Sequence, residues 1–337
     1  MNTTLPATML TMLLIVSTTF AQQAPIKAPE FPPLPKAVSS LGAITSGGYL
    51  YVYGGHAGKT HSYDTDGVLG TFHRLKLDGG TKWEELAKGP ILQGMNLVTH
   101  GGKIYRIGGM QPRNAPGEPT DNHSVSTCSR FDPVTGKWED IAPLPAARSS
   151  HDVVAVGDKL MVVGGWQMNG KGAKSTWPDT AYILNLAAKE LKWETVPQPF
   201  KRRGVAAAAV GTKVYVMGGM GEEGAVRSVE VLDLASGKWT AGPLLPGTDH
   251  AAFSPAAGVV NGKIVVNTSA GTIFRMNDAA NGWEKVGEAK KKRMVARLVS
   301  LGDDGVIILG GAGGDGNIDA VEFVRLAARG EPVASDK

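Results

Sequence analysis

The chain has 337 residues, of which 42% are hydrophobic, so it can bury a substantial core in one large domain or two ordinary ones. Its 45 glycines and 20 prolines favour short strands joined by many turns and argue against long helices. The net charge of +4 is a weak basic bias with no arginine-rich arm or aromatic–basic platform, so no nucleic-acid partner is expected.

The first 21 residues have the pattern of an export signal. The segment is uncharged, its apolar core covers residues 9–16, and it ends at Thr19-Phe20-Ala21 with small residues at both positions that a signal peptidase reads. The usual Lys or Arg before the core is missing, and a non-cleaved anchor is the alternative, although the core is short for a bilayer. We expect a signal peptide over residues 1–21 and an exported protein, periplasmic or secreted, with no membrane span after cleavage.

A short apolar run that ends in two glycines recurs along the rest of the chain. Its copies include KIYRIGG at residues 103–109 and KLMVVGG at residues 159–165, and the first four doublets recur about every 55 residues. A degenerate copy follows at residues 261–286, in which Asn267 and Thr268 replace the glycines. The doublets are Gly54 and Gly55, Gly108 and Gly109, Gly164 and Gly165, Gly218 and Gly219, and Gly310 and Gly311.

A tryptophan follows each of the first five copies in phase. Each unit divides into two apolar runs around a tight turn, a third run after the glycines, and a fourth run that opens on the tryptophan. The glycines permit the close backbone approach required near a propeller axis, and the tryptophans are interpreted as packing residues between adjacent sheets. The tryptophans are Trp83, Trp138, Trp193, Trp239 and Trp283.

These recurring features resemble kelch repeats. The resemblance rests on the runs ending in Gly-Gly, the spaced tryptophans and the PLPAAR stretch that closes a unit, and it covers about residues 28–326. It implies an all-β fold, a kelch β-propeller of four-stranded antiparallel blades, and counting the copies predicts six blades.

The proline-rich segment at residues 25–37 is predicted to complete the last blade. Aligning residues 33–35 with residues 143–145 places this segment where the sixth copy lacks an outer strand, and such closure removes exposed sheet edges. A single propeller is therefore expected over residues 22–330, followed by a tail at 331–337. The predicted blades cover about residues 38–90, 91–145, 146–199, 200–246, 247–290 and 291–326.

The loops that follow the glycine doublets are predicted to form the functional face. Three of them are long, at residues 56–70, 110–125 and 166–179, whereas the turns on the opposite face are minimal. Long loops held by a rigid scaffold commonly carry binding residues. The connections between blades share this face and line the mouth of the channel.

Arginines recur at one position of these connections, because Arg148, Arg202 and Arg293 align. Converging guanidinium groups suit a carboxylate or another anion, and bracing of neighbouring blades through backbone carbonyls or nearby acids is the alternative that stays open. No catalytic residue is assigned. The candidate ligand-binding residues at the mouth are Ser39, Gln93, Arg148, His151, Arg202, Arg203 and Arg293.

The histidines do not indicate a metal site. His56, His61, Asp64 and Asp66 share the first long loop, but their spacing matches no metal motif, so neither a metal nor another cofactor is expected. Cys128 is the single cysteine, which excludes an intrachain disulfide.

Two classes of function follow. The first is a binding module, expected to be monomeric, that uses the long-loop face for a protein or carbohydrate ligand, with anionic groups among the expected ligands. The second is an enzyme, because export, size and blade number resemble secreted kelch proteins of the N-acetylneuraminate epimerase (sialic acid mutarotase) type. Mutarotation needs a general acid and base, for which His151 or an acid such as Glu222 is a candidate. The binding module is favoured because the enzyme rests on a resemblance of fold alone. Such a resemblance is weak evidence for one activity, since propellers host many activities.

Overall fold

A ring of six antiparallel β-sheets forms the fold. The structure, a computed structural model, describes residue 1 and residues 28–328. Five sheets have four strands and the sixth has three, so the predicted all-β, six-bladed propeller is confirmed. The only helix within the described residues is a 3₁₀ turn at His250–Ala252. The predicted signal peptide and the predicted tail at 331–337 lie outside these residues.

Each blade begins with a strand at the channel and ends with a strand at the rim. Three small two-stranded hairpins extend the loops after the second, fourth and fifth glycine doublets. Blades one to three contain β1 (Gly42–Ser46), β2 (Tyr49–His56), β3 (Val68–Lys76), β4 (Glu84–Glu85), β5 (Leu97–His100), β6 (Lys103–Ile107), β7 (Met110–Pro112), β8 (Asn122–Ser124), β9 (Cys128–Asp132), β10 (Lys137–Ile141), β11 (Ser149–Val156), β12 (Lys159–Trp166), β13 (Thr180–Asn185) and β14 (Trp193–Pro197). Blades four to six contain β15 (Ala206–Val210), β16 (Lys213–Met217), β17 (Met220–Gly221), β18 (Gly224–Ala225), β19 (Val229–Asp233), β20 (Lys238–Ala241), β21 (Ala256–Val260), β22 (Lys263–Asn267), β23 (Thr272–Met276), β24 (Trp283–Glu288), β25 (Arg297–Leu301), β26 (Gly305–Leu309), β27 (Ala312–Gly313), β28 (Gly316–Asn317) and β29 (Val321–Arg325).

The core lies between the blades. Alternate side chains of a strand point to opposite faces of its sheet, so each blade has an apolar face toward each neighbour. Six clusters of buried apolar side chains fill the six interfaces; in one of them Tyr105 of blade two packs with Leu160 and Tyr182 of blade three. The first strand of each blade also packs on that of the next, and β25 packs on β1, which closes the ring.

The segment before β1 contacts the sixth blade. Leu34 donates its N–H to the Asp319 carbonyl at 2.8 Å, as Leu144 does to the Ser126 carbonyl at 2.9 Å in blade two. Leu34 is buried in the cluster between blades six and one. The described part of this segment forms no regular strand, so the sixth sheet keeps three strands and the segment is held by these contacts.

Each repeat tryptophan is hydrogen-bonded to the blade before it. Trp193 is 5% exposed and donates its indole Nε1–H to the Ala142 carbonyl at 2.8 Å. This bond satisfies the single polar group of a largely apolar side chain at the interface. The same bond joins Trp83 to Pro33, Trp138 to Ala87, Trp239 to Pro197 and Trp283 to Pro243.

The first glycine of each doublet stands where two blades approach most closely. Gly218 has a φ of +61°, and a Cβ there would lie 2.4 Å from the Ala252 carbonyl oxygen. Gly219 donates its N–H to that same carbonyl at 2.9 Å, which holds the two backbones together. The equivalent bonds join Gly55 to Leu92, Gly109 to Arg148, Gly165 to Arg202, and Gly311 to Val38.

Replacing Gly218 by alanine is expected to lower the free energy of unfolding by about 3 kcal/mol, because left-handed strain adds to the collision with a backbone oxygen. Gly211 is a matched control: its φ is +59°, and a Cβ there meets nothing within 4 Å. Gly211→Ala should therefore cost only the left-handed strain, about 1 kcal/mol. Urea unfolding of both variants measures the difference, and equal losses would contradict the close-approach explanation.

Candidate functional site at the channel mouth

The six connections between blades converge at one end of the channel. Each has three consecutive residues that we number by position, for example Arg148, Ser149 and Ser150 in blade three. The third residues, which all have positive φ, line a cavity of about 50 Å³ that we call the mouth recess. They are Ser40, Gly94, Ser150, Gly204, Ser254 and Val295.

The aligned arginines occupy the first position and brace their own blades. Arg148 is 1% exposed and donates Nη1 to the Gly164 and Thr180 carbonyls at 2.9 Å. Its guanidinium carbon lies 4.7 Å from the centre of the Tyr182 ring. The bonds link the second and third strands of blade three, so the side chain is used within one blade and not between two.

Arg202 and Arg293 repeat this arrangement with an acid in place of the tyrosine. Arg202 donates to the Ser228 carbonyl at 3.2 Å and pairs with Glu230. Arg293 donates to the Ala320 carbonyl and pairs with Glu322 at 2.8 Å.

Burial lowers the pKa of both side chains, that of Arg202 to about 10, so Arg202 stays charged at neutral pH. None of the three arginines lines the mouth recess, so the structure places them in a bracing role, in contrast to the predicted anion site.

Two further predicted residues, Ser39 and Gln93, are also buried away from the recess. Ser39 forms an isolated backbone β-bridge with His56, and Gln93 forms one with Met110. His56 and Met110 are the residues that directly follow their glycine doublets. These pairs hold the second connection position against the loop that follows the doublet.

His151 and Arg203 do line the recess. His151 is 2% exposed, and its ring meets the Ile107 backbone but no side-chain hydrogen-bond partner among the described residues. Burial lowers the pKa of His151 to about 3, with help from Arg148 and Arg297, so the ring is neutral above that pH. Arg203 lies 4.2 Å over the Trp166 ring, its buried Nε–H has no partner, and burial lowers its pKa.

Arg297 also lines the recess, although it is not among the residues predicted from the sequence. It donates Nε to the Leu41 carbonyl at 2.7 Å and Nη2 to the Met95 carbonyl at 2.6 Å, across the channel. Aligning the inner strands offers a signal, because Asn96, Asp152 and Arg297 share a position that is glycine or alanine in the other blades.

The three long loops are joined into one ridge, the loop wall, which comprises residues 57–67, 113–121 and 167–179. Ser124 donates its N–H to the Met168 carbonyl at 2.9 Å, and Thr65 donates its N–H to the Asn114 carbonyl at 3.1 Å. Blades four and five carry short turns instead, so the wall stands on one side of the recess.

Two of the predicted polar residues of the first loop, His56 and Asp64, are used locally. His56 Nε2 lies 2.8 Å from the Ser62 carbonyl, and Asp64 accepts the N–H groups of Asp66 and Gly67. Within residues 28–328 no three His, Cys, Asp or Glu side chains gather as a metal site. Among those residues there is also no helix with the length and apolarity to cross a membrane.

The comparisons with known proteins agree with this architecture. The kelch motif model matches residues 93–145 and 201–243, in blades two and four. The chain is 30% identical over 198 residues to Kelch repeat and BTB domain-containing protein 12 of Danio rerio, covering 55% of this chain and 31% of that protein. It is 24% identical over 246 residues to Kelch-like protein terF of Aspergillus terreus, covering 69% of this chain and 52% of that protein.

A solved structure of YjhT superposes with a TM-score of 0.72 at 16% identity, covering 91% of this chain and 99% of that one. At that identity the similarity shows the fold alone. The fold and the matches define the class: a six-bladed propeller, two segments of which match the kelch motif. The chain spans about a third to a half of the length of the curated relatives described above.

Proposed function

We propose that this propeller is a binding module that docks a partner protein on its loop wall. The observation that carries the proposal is that the wall is already tied together without a partner, by bonds such as Gly170 N–H to the Asn122 carbonyl at 3.0 Å. A surface that is ordered before binding loses less conformational entropy on association. Kelch repeats in the Danio rerio and Aspergillus terreus relatives support an interaction role.

The acidic-sugar mutarotase is the weaker candidate. The recess holds about 50 Å³, whereas sites for small molecules usually hold roughly 300 Å³ or more. Of the described residues that line it, none is a carboxylate, and Glu222 is exposed in the turn between β17 and β18. Mutarotation needs an acid and a base beside the ring, and His151 alone is present.

Site-specific photo-crosslinking tests the proposal. A photoreactive residue at Lys171, exposed on the wall, should capture a partner, whereas one at Val134, which is 94% exposed in the turn between β9 and β10, should not. The captured partner should then bind the double variant Lys171→Glu/Lys174→Glu at least tenfold more weakly than the original protein. It should bind Val134→Glu as tightly as the original protein. Equal capture at both faces, or unchanged affinity in the wall variant, would overturn the proposal.

We also propose that the protein acts after export. The apolar core at residues 9–16 and the small residues that precede the expected cleavage site after Ala21 support this. Mass spectrometry of the protein from its native host should find Gln22 as the first residue, and an intact N-terminus on cytoplasmic protein would contradict it.

A further inference from the structure

The backbone of the mouth recess forms a hydrogen-bonded ring that is open on one side. The third connection residue of each blade donates its N–H to the carbonyl of the third residue in the blade before: Ser150 N–H, for example, donates to the Gly94 carbonyl at 2.6 Å. Four joints carry this bond, those of Ser40, Gly94, Ser150 and Gly204. Among the described residues, the equivalent ring bond is not formed at Ser254 or at Val295.

Arg203 is a buried donor beside the recess. Its Nε–H has no partner among the described residues, and the guanidinium makes only a weak hydrogen bond to the Met220 sulfur at 3.3 Å. Arg297 uses Nε and Nη2 on carbonyls. His151 is 2% exposed and lines the recess, where its ring meets the Ile107 backbone. A buried polar group without a partner is costly, so the Nε–H of Arg203 indicates a missing ligand atom.

The charge of the recess is unbalanced. Arg203 and Arg297 both line it, and none of its described lining residues is an acid. Asp152 is the acid that acts electrostatically on Arg297, but its oxygens already accept from Asn96, Val153 and Ala207. Two guanidinium groups in a partly desolvated cavity favour a planar anion that accepts several hydrogen bonds.

The size of the recess selects the ligand further. A volume of about 50 Å³ accommodates a carboxylate group and excludes a whole sugar. We propose that the mouth recess binds a carboxylate, supplied by an acidic side chain of the protein docked on the loop wall; the choice of source rests on the proposed function. The aromatic rings beside Arg203, Trp166 at 4.2 Å and Phe253 at 5.7 Å, hold its guanidinium over the recess.

NMR titration of the full chain tests the site without knowledge of the partner. The probes are a blocked pentapeptide with a central glutamate, its glutamine twin, sodium acetate, and sodium chloride at the same ionic strength. The glutamate peptide should bind at least tenfold more tightly than its twin, and it should shift the Nε–H resonance of Arg203. Binding should weaken as salt is raised, because part of the attraction is electrostatic.

Three variants separate this site from general attraction to a basic surface. Arg203→Gln should lose at least tenfold in affinity for the glutamate peptide, and Arg203→Lys should restore part of it. Lys291→Gln removes an exposed cation from the connection that precedes blade six, outside the loop wall, and should stay within twofold of the original protein. Melting temperatures confirm that each variant is folded.

Equal affinity of the twin peptides, a chloride effect as large as that of acetate, or unchanged binding in Arg203→Gln would overturn the carboxylate site. If acetate binds as tightly as the glutamate peptide, the carboxylate site stands and the assignment of a partner's side chain is overturned. The titration is independent of the crosslinking at Lys171, so a failure of the docking proposal and a failure of the recess are distinguishable.

Discussion

Replacing Arg202 by alanine is expected to lower the free energy of unfolding by about 3–5 kcal/mol, the usual loss when one partner of a buried ion pair is removed. The substitution leaves Glu230 without its cation and the Ser228 carbonyl without its donor, in a region where Arg202 is only 5% exposed. Urea unfolding at neutral pH measures the loss.

The surface pair of Arg130 and Glu139 is the matched control for Arg202. Their side chains are 30% and 64% exposed at a separation of 2.9 Å, so Arg130→Ala should cost under about 1 kcal/mol. Acetate binding at 10 °C, where the variant is still folded, should be unchanged in Arg202→Ala. A stable Arg202→Ala protein that has lost acetate binding would contradict the bracing role and restore the arginine as a ligand residue.

Acidification is expected to destabilise the protein through His151, with about 3 kcal/mol lost between pH 6.5 and pH 4. The folded pKa is lowered from 6.5 to about 3, so the unfolded chain binds the proton more readily in this range. The contribution of His151 to the free energy of unfolding is therefore complete above pH 6.5 and is lost as the pH falls toward 3. Its slope approaches about 1.4 kcal/mol per pH unit.

The comparison of His151→Gln with the original protein isolates this effect, because all other titrating groups are shared. Urea unfolding at pH 7, 6, 5 and 4 should show a shallower loss for His151→Gln. His250→Gln, at an exposed histidine, should follow the original protein. Parallel curves for His151→Gln and the original protein would contradict the neutral, buried state of His151.

Much of the fold could be predicted because its signals are local and repeated. A glycine doublet with positive φ, such as +61° and +97° at Gly218 and Gly219, permits the close approach of two blades at five of the six interfaces, so it recurs in the sequence. A tryptophan recurs at five of the six interfaces for a similar reason, since it supplies a large side chain with one donor. The alignment that placed Arg148, Arg202 and Arg293 at one position was also correct, because all three make the same kind of bond to their third strand.

The direction and partners of a side chain at that position were not predictable. Arg202 and Arg203 are neighbours in the chain, yet Arg202 braces blade four and Arg203 lines the recess, because consecutive residues in extended backbone point to opposite sides. The partner of Arg202, Glu230, lies 28 residues further along the chain. Nothing in a single repeat tells which of the two arginines is left free.

The sequence by itself determined the six-bladed all-β propeller, since repetition within a chain reports a repeated unit and each unit can bury its faces only against its neighbours. Only the tertiary structure decided the candidate site. The bonds of Arg297 to Leu41 and Met95 join residues 256 and 202 positions apart, and they exist only once the ring has closed. The gap in the backbone ring at Ser254 and Val295 is likewise a property of the closed ring, because each ring bond joins residues of two neighbouring blades.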